Sequence, residues 1–161
     1  MEQCPCGSNI NYDQCCGLYI NDQAIPKTPE TLMRSRYTAY SLANIGYIIK
    51  TMQGKPLTNF NENEVKRWAS NVIWLGLNVI QSSESAINVP DEHTGFVEFI
   101  ATYLERDTLK TIHENSQFQR RNNRWFYIDG KLINTMPKKI FRNAACPCGS
   151  QKKFKNCHAP N

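Results

Sequence analysis

The sequence predicts an α+β domain with a small metal-binding knuckle at each end. Three observations carry that prediction: helical spacing of apolar residues is confined to the segment before Trp74, two-residue alternation takes over after it, and one cysteine motif occurs at both ends of the chain. Helices first and strands afterwards is the order of an α+β fold with an antiparallel sheet.

The elements follow in order. Residues 1–20 hold the first cysteine motif, and residues 21–27 read as a linker ending at Pro26. Thr28-Pro29-Glu30 is a helix start: Thr as cap, Pro at the first helical position, and Glu where the helix dipole is positive. Leu32, Met33, Tyr37 and Tyr40 recur at spacings of three and four, which predicts one buried face. Gly46 is read as ending that helix or turning it, Tyr47–Met52 as a further turn or two, and Pro56–Asn61 as a loop. Glu62–Ser70 reads as a second helix with Val65 and Trp68 inward. Strands are expected at Trp74–Ile80, Gly95–Glu105, Thr108–Arg121 and Arg124–Ile128. Both faces of the second are covered near its middle, since both alternating sets are partly apolar. Arg121-Asn122-Asn123 makes the last hairpin turn, and Asp129-Gly130 closes the final strand. The three expected units are residues 1–20, 21–143 and 144–161.

With 161 residues and 40% hydrophobic content, the chain can build one core of ordinary size with small appendages. No apolar run of about eighteen residues exists, so no membrane insertion is expected. Met1 to Cys6 have neither a basic head nor an apolar segment, so a cytoplasmic protein is expected. In that compartment seven reduced cysteines point to metal or redox chemistry rather than to disulfides.

The two cysteine segments read C-P-C-G-S-N-I-N-Y-D-Q-C-C-G and C-P-C-G-S-Q-K-K-F-K-N-C-H-A. Both obey C-P-C-G-S-x3-aromatic-x2-C-[CH], with Tyr12 and Phe154 at the same offset, and together they contain every cysteine of the chain. The candidate ligands form two sets of four: Cys4, Cys6, Cys15 and Cys16, then Cys146, Cys148, Cys157 and His158. Thiolate and imidazole are good donors to zinc, and four of them close a tetrahedral structural site, so two zinc ions are expected, one per knuckle. A closed donor set also argues against catalysis at the metal. Pro5 and Pro147 restrict the backbone inside the first pair, and Gly7 and Gly149 permit the sharp turn after it. Backbone amides there are expected to donate to the sulfurs. Three other readings stand beside zinc: free structural cysteines, redox chemistry at the adjacent Cys15 and Cys16, and an iron–sulfur cluster.

On these residues the C-terminal segment resembles the SEC-C motif at the end of the translocation ATPase SecA. There three cysteines and a histidine bind zinc, and the module contacts partners such as the chaperone SecB. The N-terminal segment resembles the four-cysteine form of the same motif. Both depart from it at Asn9 and Gln151, where the motif usually has Gly; Asn tolerates a left-handed backbone and Gln tolerates it much less.

The middle of the chain resembles the YchJ family, whose members carry a nuclear transport factor 2-like domain flanked by SEC-C motifs. The matching runs are Arg34–Tyr40, Trp74–Leu77, Val97–Phe99, His113–Phe118 and Trp125–Gly130. The resemblance implies a nuclear transport factor 2-like cone, a curved antiparallel sheet wrapped by N-terminal helices around a pocket, flanked by two zinc knuckles. It implies no particular reaction.

Within the cone the candidates are His113, Glu114 and Arg36. Adjacent on one strand, His113 and Glu114 point to opposite faces, so only one enters the pocket and they cannot form an acid–base pair. Glu114 with Arg36 reads as a structural ion pair, and His93 as a loop residue beside Asp91 and Glu92. Trp125, Phe126 and Tyr127 read as sheet packing, and Arg120, Arg121 and Arg124 as a solvated hairpin tip with an anionic contact as the alternative.

Charge separates the two knuckles. Lys131 to Asn161 hold seven cations and no acid; the other twelve of nineteen cations share the rest of the chain with all fourteen acids. Lys152, Lys153 and Lys155 lie between the ligand pairs of the second knuckle, where the first has Ile10, Asn11 and Asp13. The expected function is a zinc-binding interaction module rather than an enzyme, contacting a protein or ribonucleoprotein partner through these three lysines. Small-ligand binding or catalysis in the cone, and direct nucleic-acid binding by the basic tail, are the alternatives.

Overall fold

The computed structural model describes residues 2–87 and 92–160. Asp91, cited above beside His93, lies outside them. A short 3-10 turn at Tyr12–Gln14 and helix α1 (Cys16–Ile20) complete the first cysteine segment. Helix α2 spans Pro29–Ser41, and it starts as its sequence requires: extended Thr28 accepts the Thr31 amide at 3.1 Å through its hydroxyl. Leu32, Met33 and Tyr37 are buried and Tyr40 half-buried, the face expected from their spacing.

The helix stops earlier than Gly46. Ala43 takes the left-handed backbone (φ 51°), and Asn44 then caps α3 (Ile45–Lys50), accepting the Tyr47 amide at 3.1 Å. Gly46 therefore lies inside a helix rather than ending one. The expected loop at Pro56 is in part a helical turn, α4 (Lys55–Thr58), because Pro is well placed in a first turn. Asn61 caps α5 (Glu62–Asn71).

Four long strands form an antiparallel meander, β1 (Ile73–Ala86), β2 (His93–Glu105), β3 (Thr108–Arg121) and β4 (Arg124–Ile133); a short β5 (Lys138–Lys139) pairs with the start of β3. Two strands run longer than their apolar patterns predict. Beyond Ile80 the polar residues of β1 continue to pair along β2, Gln81 with Glu98 through to Ala86 with His93. Strand β4 continues through Asp129-Gly130 as far as Ile133. In both places the partner strand supplies the hydrogen bonds that the side-chain pattern does not advertise. His93 thereby belongs to a strand, not a loop. Leu75 and Ile80 on β1 and Ile128 on β4 are extra residues opposite a regular partner; such bulges bend the sheet. Asn122 and Asn123, both left-handed, form the β3–β4 turn.

The two faces of the sheet carry different cores. Val97, Phe99 and Ala101 of β2 face the helices and join Leu32, Tyr37, Ile48 and Phe118 in the main cluster. Leu104 has the opposite parity and packs with Ile140, Cys146 and Phe154 in a second cluster. Among the described residues no helix is long and apolar enough to cross a membrane.

Candidate metal centres and the central cavity

In the first knuckle the chain leaves Cys4, turns at Gly7 (φ 76°) and returns so that the Cys4 amide donates to Ile10 O at 2.8 Å. The 3-10 turn then delivers Cys15 and Cys16 at the start of α1. The second knuckle repeats the path, with Gly149 at φ 79°, the Cys146 amide donating to Lys152 O at 2.9 Å, and a 3-10 turn at Phe154–Asn156 before Cys157. Asn9 (φ 60°) and Gln151 (φ 62°) both take the left-handed backbone, so Gln bears the conformation it tolerates poorly without changing the turn.

The turns gather each set of four. The donor atoms of Cys4, Cys6, Cys15 and Cys16 all lie within 4.8 Å of one another, as do those of Cys146, Cys148, Cys157 and His158. Cys6 Sγ is 3.6 Å from Cys15 Sγ, Cys15 Sγ is 4.0 Å from Cys16 Sγ, and Cys148 Sγ is 3.5 Å from Cys157 Sγ. His158 presents Nδ1, at 3.3 Å from Cys146 Sγ and 3.2 Å from Cys157 Sγ. A tetrahedron with ~2.3 Å metal–sulfur and ~2.0–2.1 Å metal–nitrogen bonds has edges of about 3.8 and 3.6 Å. The observed separations sit close to those edges and far beyond the ~2.05 Å of a disulfide; all seven cysteines are free. Both sets fit a tetrahedral ion.

The protonation of the sulfurs makes the same point. Hydrogen bonds, chiefly from the Cys16 thiol, bring Cys6 down to about 4 against the upward push of burial, while Cys16 itself is raised. In the second set Ser150 brings Cys148 down to about 6, and desolvation lifts Cys146 to about 11. Each cluster thus sets a cysteine of lowered pKa, Cys6 or Cys148, beside one of raised pKa, Cys16 or Cys146, and a divalent cation would favour the ionised form of all of its ligands.

One serine of each motif that the ligand count passes over takes part. Ser8 Oγ lies 3.2 Å from Cys15 Sγ, and Ser150 Oγ lies 3.4 Å from Cys157 Sγ. Their identical offset in both copies was the available signal. Arg34 and Thr38 have no such signal. They reach the first knuckle from α2, Arg34 donating to Cys6 O at 3.0 Å and Thr38 Oγ1 lying 3.7 Å from Cys4 Sγ.

The surroundings differ sharply. Cys4, Cys6 and Cys16 are buried in the main core beside α2. The second knuckle sits on the other face of the sheet, anchored by fully buried Phe154 against Leu104. Lys152, Lys153 and Lys155 are all exposed around that anchor.

A cavity of about 190 Å³ opens between α2, α5 and the sheet, lined by Arg36, Tyr40, Trp68, Trp74, Glu114 and Tyr127 among others. Glu114 enters it, whereas His113 points to the other face and pairs with Glu98 at 2.8 Å. The expected Arg36–Glu114 ion pair does not form. Arg36 Nη1 donates to Ile48 O at 2.9 Å and Thr51 Oγ1 at 2.7 Å, and its guanidinium lies 4.8 Å from the Tyr127 ring centre. Glu114 accepts from Ser116 Oγ at 2.6 Å and from the Tyr127 hydroxyl at 3.0 Å. Tyr127 thus stands between the two charges and satisfies each without their meeting. Elsewhere, His93 Nδ1 lies 3.9 Å from Glu84, Trp125 is buried with its indole N–H donating to Lys27 O at 3.1 Å, and Arg121 bonds Gln53 and Gln119.

Fold and sites together define a SEC-C motif protein built on a nuclear transport factor 2-like domain. Family models agree: "YchJ, middle NTF2-like domain" matches residues 28–130, and "SEC-C motif" matches residues 2–18 and 142–160. The chain is 40% identical to a UPF0225 protein of Serratia proteamaculans over 97% of both chains. It is 38% identical to another from Geobacter sulfurreducens over 96% of both. A SEC-C motif containing protein from Rhodopseudomonas palustris, solved in solution, superposes with a TM-score of 0.69 at 33% identity, over 83% of this chain and 100% of that one. A crystal structure of a SEC-C motif containing protein from Psychrobacter arcticus gives 0.65 at 27%, over 98% and 95%. The chain belongs to the YchJ family of UPF0225 proteins.

Proposed function

We propose that this protein is a zinc-stabilised adaptor whose basic C-terminal knuckle docks onto an acidic protein or ribonucleoprotein surface. The carrying observation is the exposure of Lys152, Lys153 and Lys155 around an anchor that is itself fully buried: Phe154 holds the loop to the sheet, so the charges are presented from a rigid base. Exposed Met136 and Phe141 flank β5 in the segment that leads from β4 to this knuckle, offering apolar anchors close to it along the chain. Zinc is the ion that thiolate and imidazole donors in a closed tetrahedral set favour, and one ion in each knuckle supplies folding free energy that a segment of this length lacks. Thiols available for metal suit the reducing cytoplasm, where we place the protein. Both metal sites have four protein donors, so the adaptor needs no chemistry at the ions.

Two measurements test the reading. Elemental analysis of protein from metal-replete cells is expected to give two zinc ions per chain. Affinity capture is expected to recover a partner with the wild-type chain and to lose it when Lys152, Lys153 and Lys155 are all changed to Glu, with the melting temperature unchanged. Undiminished recovery by that variant would sink the proposal. A partner that is nucleic acid alone would instead bind with an affinity falling steeply with salt.

A further inference from the structure

The most unusual group outside the knuckles is Arg36. It is only 4% exposed, and among the described residues no carboxylate lies within ion-pairing reach. Its Nη1 is committed to Ile48 O and Thr51 Oγ1, and the Tyr127 ring covers part of its charge. The guanidinium has five N–H donors, and no acceptor is found for those on Nε and Nη2 among the described residues. Neither nitrogen is among the fully enclosed polar atoms that lack a partner, so both keep access to open space that water or a ligand can fill. Arg36 lines the same cavity as Glu114, a carboxylate that already accepts two hydrogen bonds through Oε1 and retains its second oxygen.

Apart from Ser116, whose hydroxyl already donates to Glu114, the rest of the lining is apolar or aromatic, Trp68, Trp74, Phe99 and Ile112 among it. A cavity with a positive group and a negative group held apart by a tyrosine ring, inside aromatic walls, has the chemistry to take a molecule that is itself dipolar. Its volume of about 190 Å³ lies below the ~300–1,000 Å³ of sites for drug-sized ligands, so the molecule is small. Trp68 and Val65 of α5 are half-buried, as are Ile112 and Glu114 of β3, so the rim lies between α5 and β3. We infer that the cavity is a binding site for a small zwitterion with an apolar side group, of the free α-amino-acid class, its carboxylate directed to Arg36 and its ammonium to Glu114. This site is independent of the knuckles and of any docking through the lysines.

The test uses the full-length, zinc-loaded protein and three probes: L-phenylalanine, 3-phenylpropionate, which lacks the ammonium, and phenethylamine, which lacks the carboxylate. The tryptophan indole N–H signals in ¹⁵N NMR provide the readout. Trp68 and Trp74 line the cavity, while Trp125 bonds Lys27 O outside it and serves as an internal control. L-phenylalanine is expected to shift the Trp68 and Trp74 signals saturably and to leave Trp125 unmoved. Each single-charge analogue is expected to bind at least about tenfold more weakly, the factor that ~1.4 kcal/mol of lost interaction produces. Glu114→Gln is expected to weaken phenylalanine and to strengthen 3-phenylpropionate, because it removes a repulsion along with an attraction. Ala101→Leu fills the cavity from its wall and is expected to abolish binding of all three. The inference is overturned if phenylalanine produces no saturable shift at about 10 mM, well above the ~1 mM range of the weakest specific sites. It is overturned equally if a single-charge analogue binds as tightly, or if Ala101→Leu, still folded by its NMR spectrum, binds phenylalanine unchanged.

Discussion

Gly130 offers a quantitative check on the polar cluster at the cavity. A Cβ at this position would come within 2.3 Å of Glu114 Oε1 and 2.4 Å of the Tyr127 hydroxyl. Gly130→Ala must therefore push both side chains aside by roughly 1 Å to reach ordinary contact. Glu114 can rotate its carboxylate away, whereas Tyr127 moves its hydroxyl only by swinging the whole ring, and the displacement breaks the Ser116–Glu114 and Tyr127–Glu114 hydrogen bonds. At about 0.5–1.5 kcal/mol net for each bond, the loss is about 1–3 kcal/mol. Reduced freedom of the unfolded chain returns about 0.4–1 kcal/mol. The net destabilisation is about 0–2.6 kcal/mol, or a fall in melting temperature of up to about 10 °C for a chain of this size. Gly76→Ala is the matched control: it too lies in a strand, and its Cβ would meet nothing within 4 Å. It is expected to be neutral or stabilising by up to about 1 kcal/mol. Thermal and urea melts of zinc-loaded protein measure both. Equal shifts for the two variants, or a Gly130→Ala protein more stable than wild type, would refute the placement of Glu114 beside Tyr127.

Other outcomes follow from the same geometry. Thr28→Ala removes the cap of α2 and is expected to cost about 1 kcal/mol, read from the urea midpoint. Cys16→Ala is expected to disturb the near-ultraviolet circular dichroism of the tryptophan and tyrosine cluster, because its sulfur lies in the main core; Cys157→Ala is expected to leave that signal largely intact while releasing one equivalent of metal, checked by mass spectrometry. Phe154→Ala is expected to expose the second knuckle to protease cleavage and to speed zinc loss to a chelator without altering the first knuckle. His158→Cys keeps four donors and is expected to retain two bound ions, whereas His158→Ala loses one.

Much of the protein is legible locally. Each donor set lies within a dozen or so residues of chain, so Pro, Gly and the short turns bring the ligands together with no help from the rest of the fold, and the repeat announces them. Helix α2 is equally readable, since its cap, its first-turn Pro and its apolar face all belong to one stretch of sequence. Segments whose partners are distant in sequence read poorly. The polar second half of β1 is a strand because β2 lies beside it, and Gly130 continues β4 because β3 pairs with it across a bulge.

Sequence alone therefore singled out the eight side chains whose donor atoms gather into two clusters able to hold a metal ion, where α2 begins, and that helices precede an antiparallel sheet. Tertiary structure alone decided that the first knuckle lies within the main core while the second rests on the opposite face against Leu104, and that Arg36 and Glu114 share a cavity without touching. The physical reason is range. Metal-ligand geometry and helix capping act between residues a few positions apart, whereas the choice of sheet face, and the separation of two charges by Tyr127, depend on packing between segments that meet only in the folded chain.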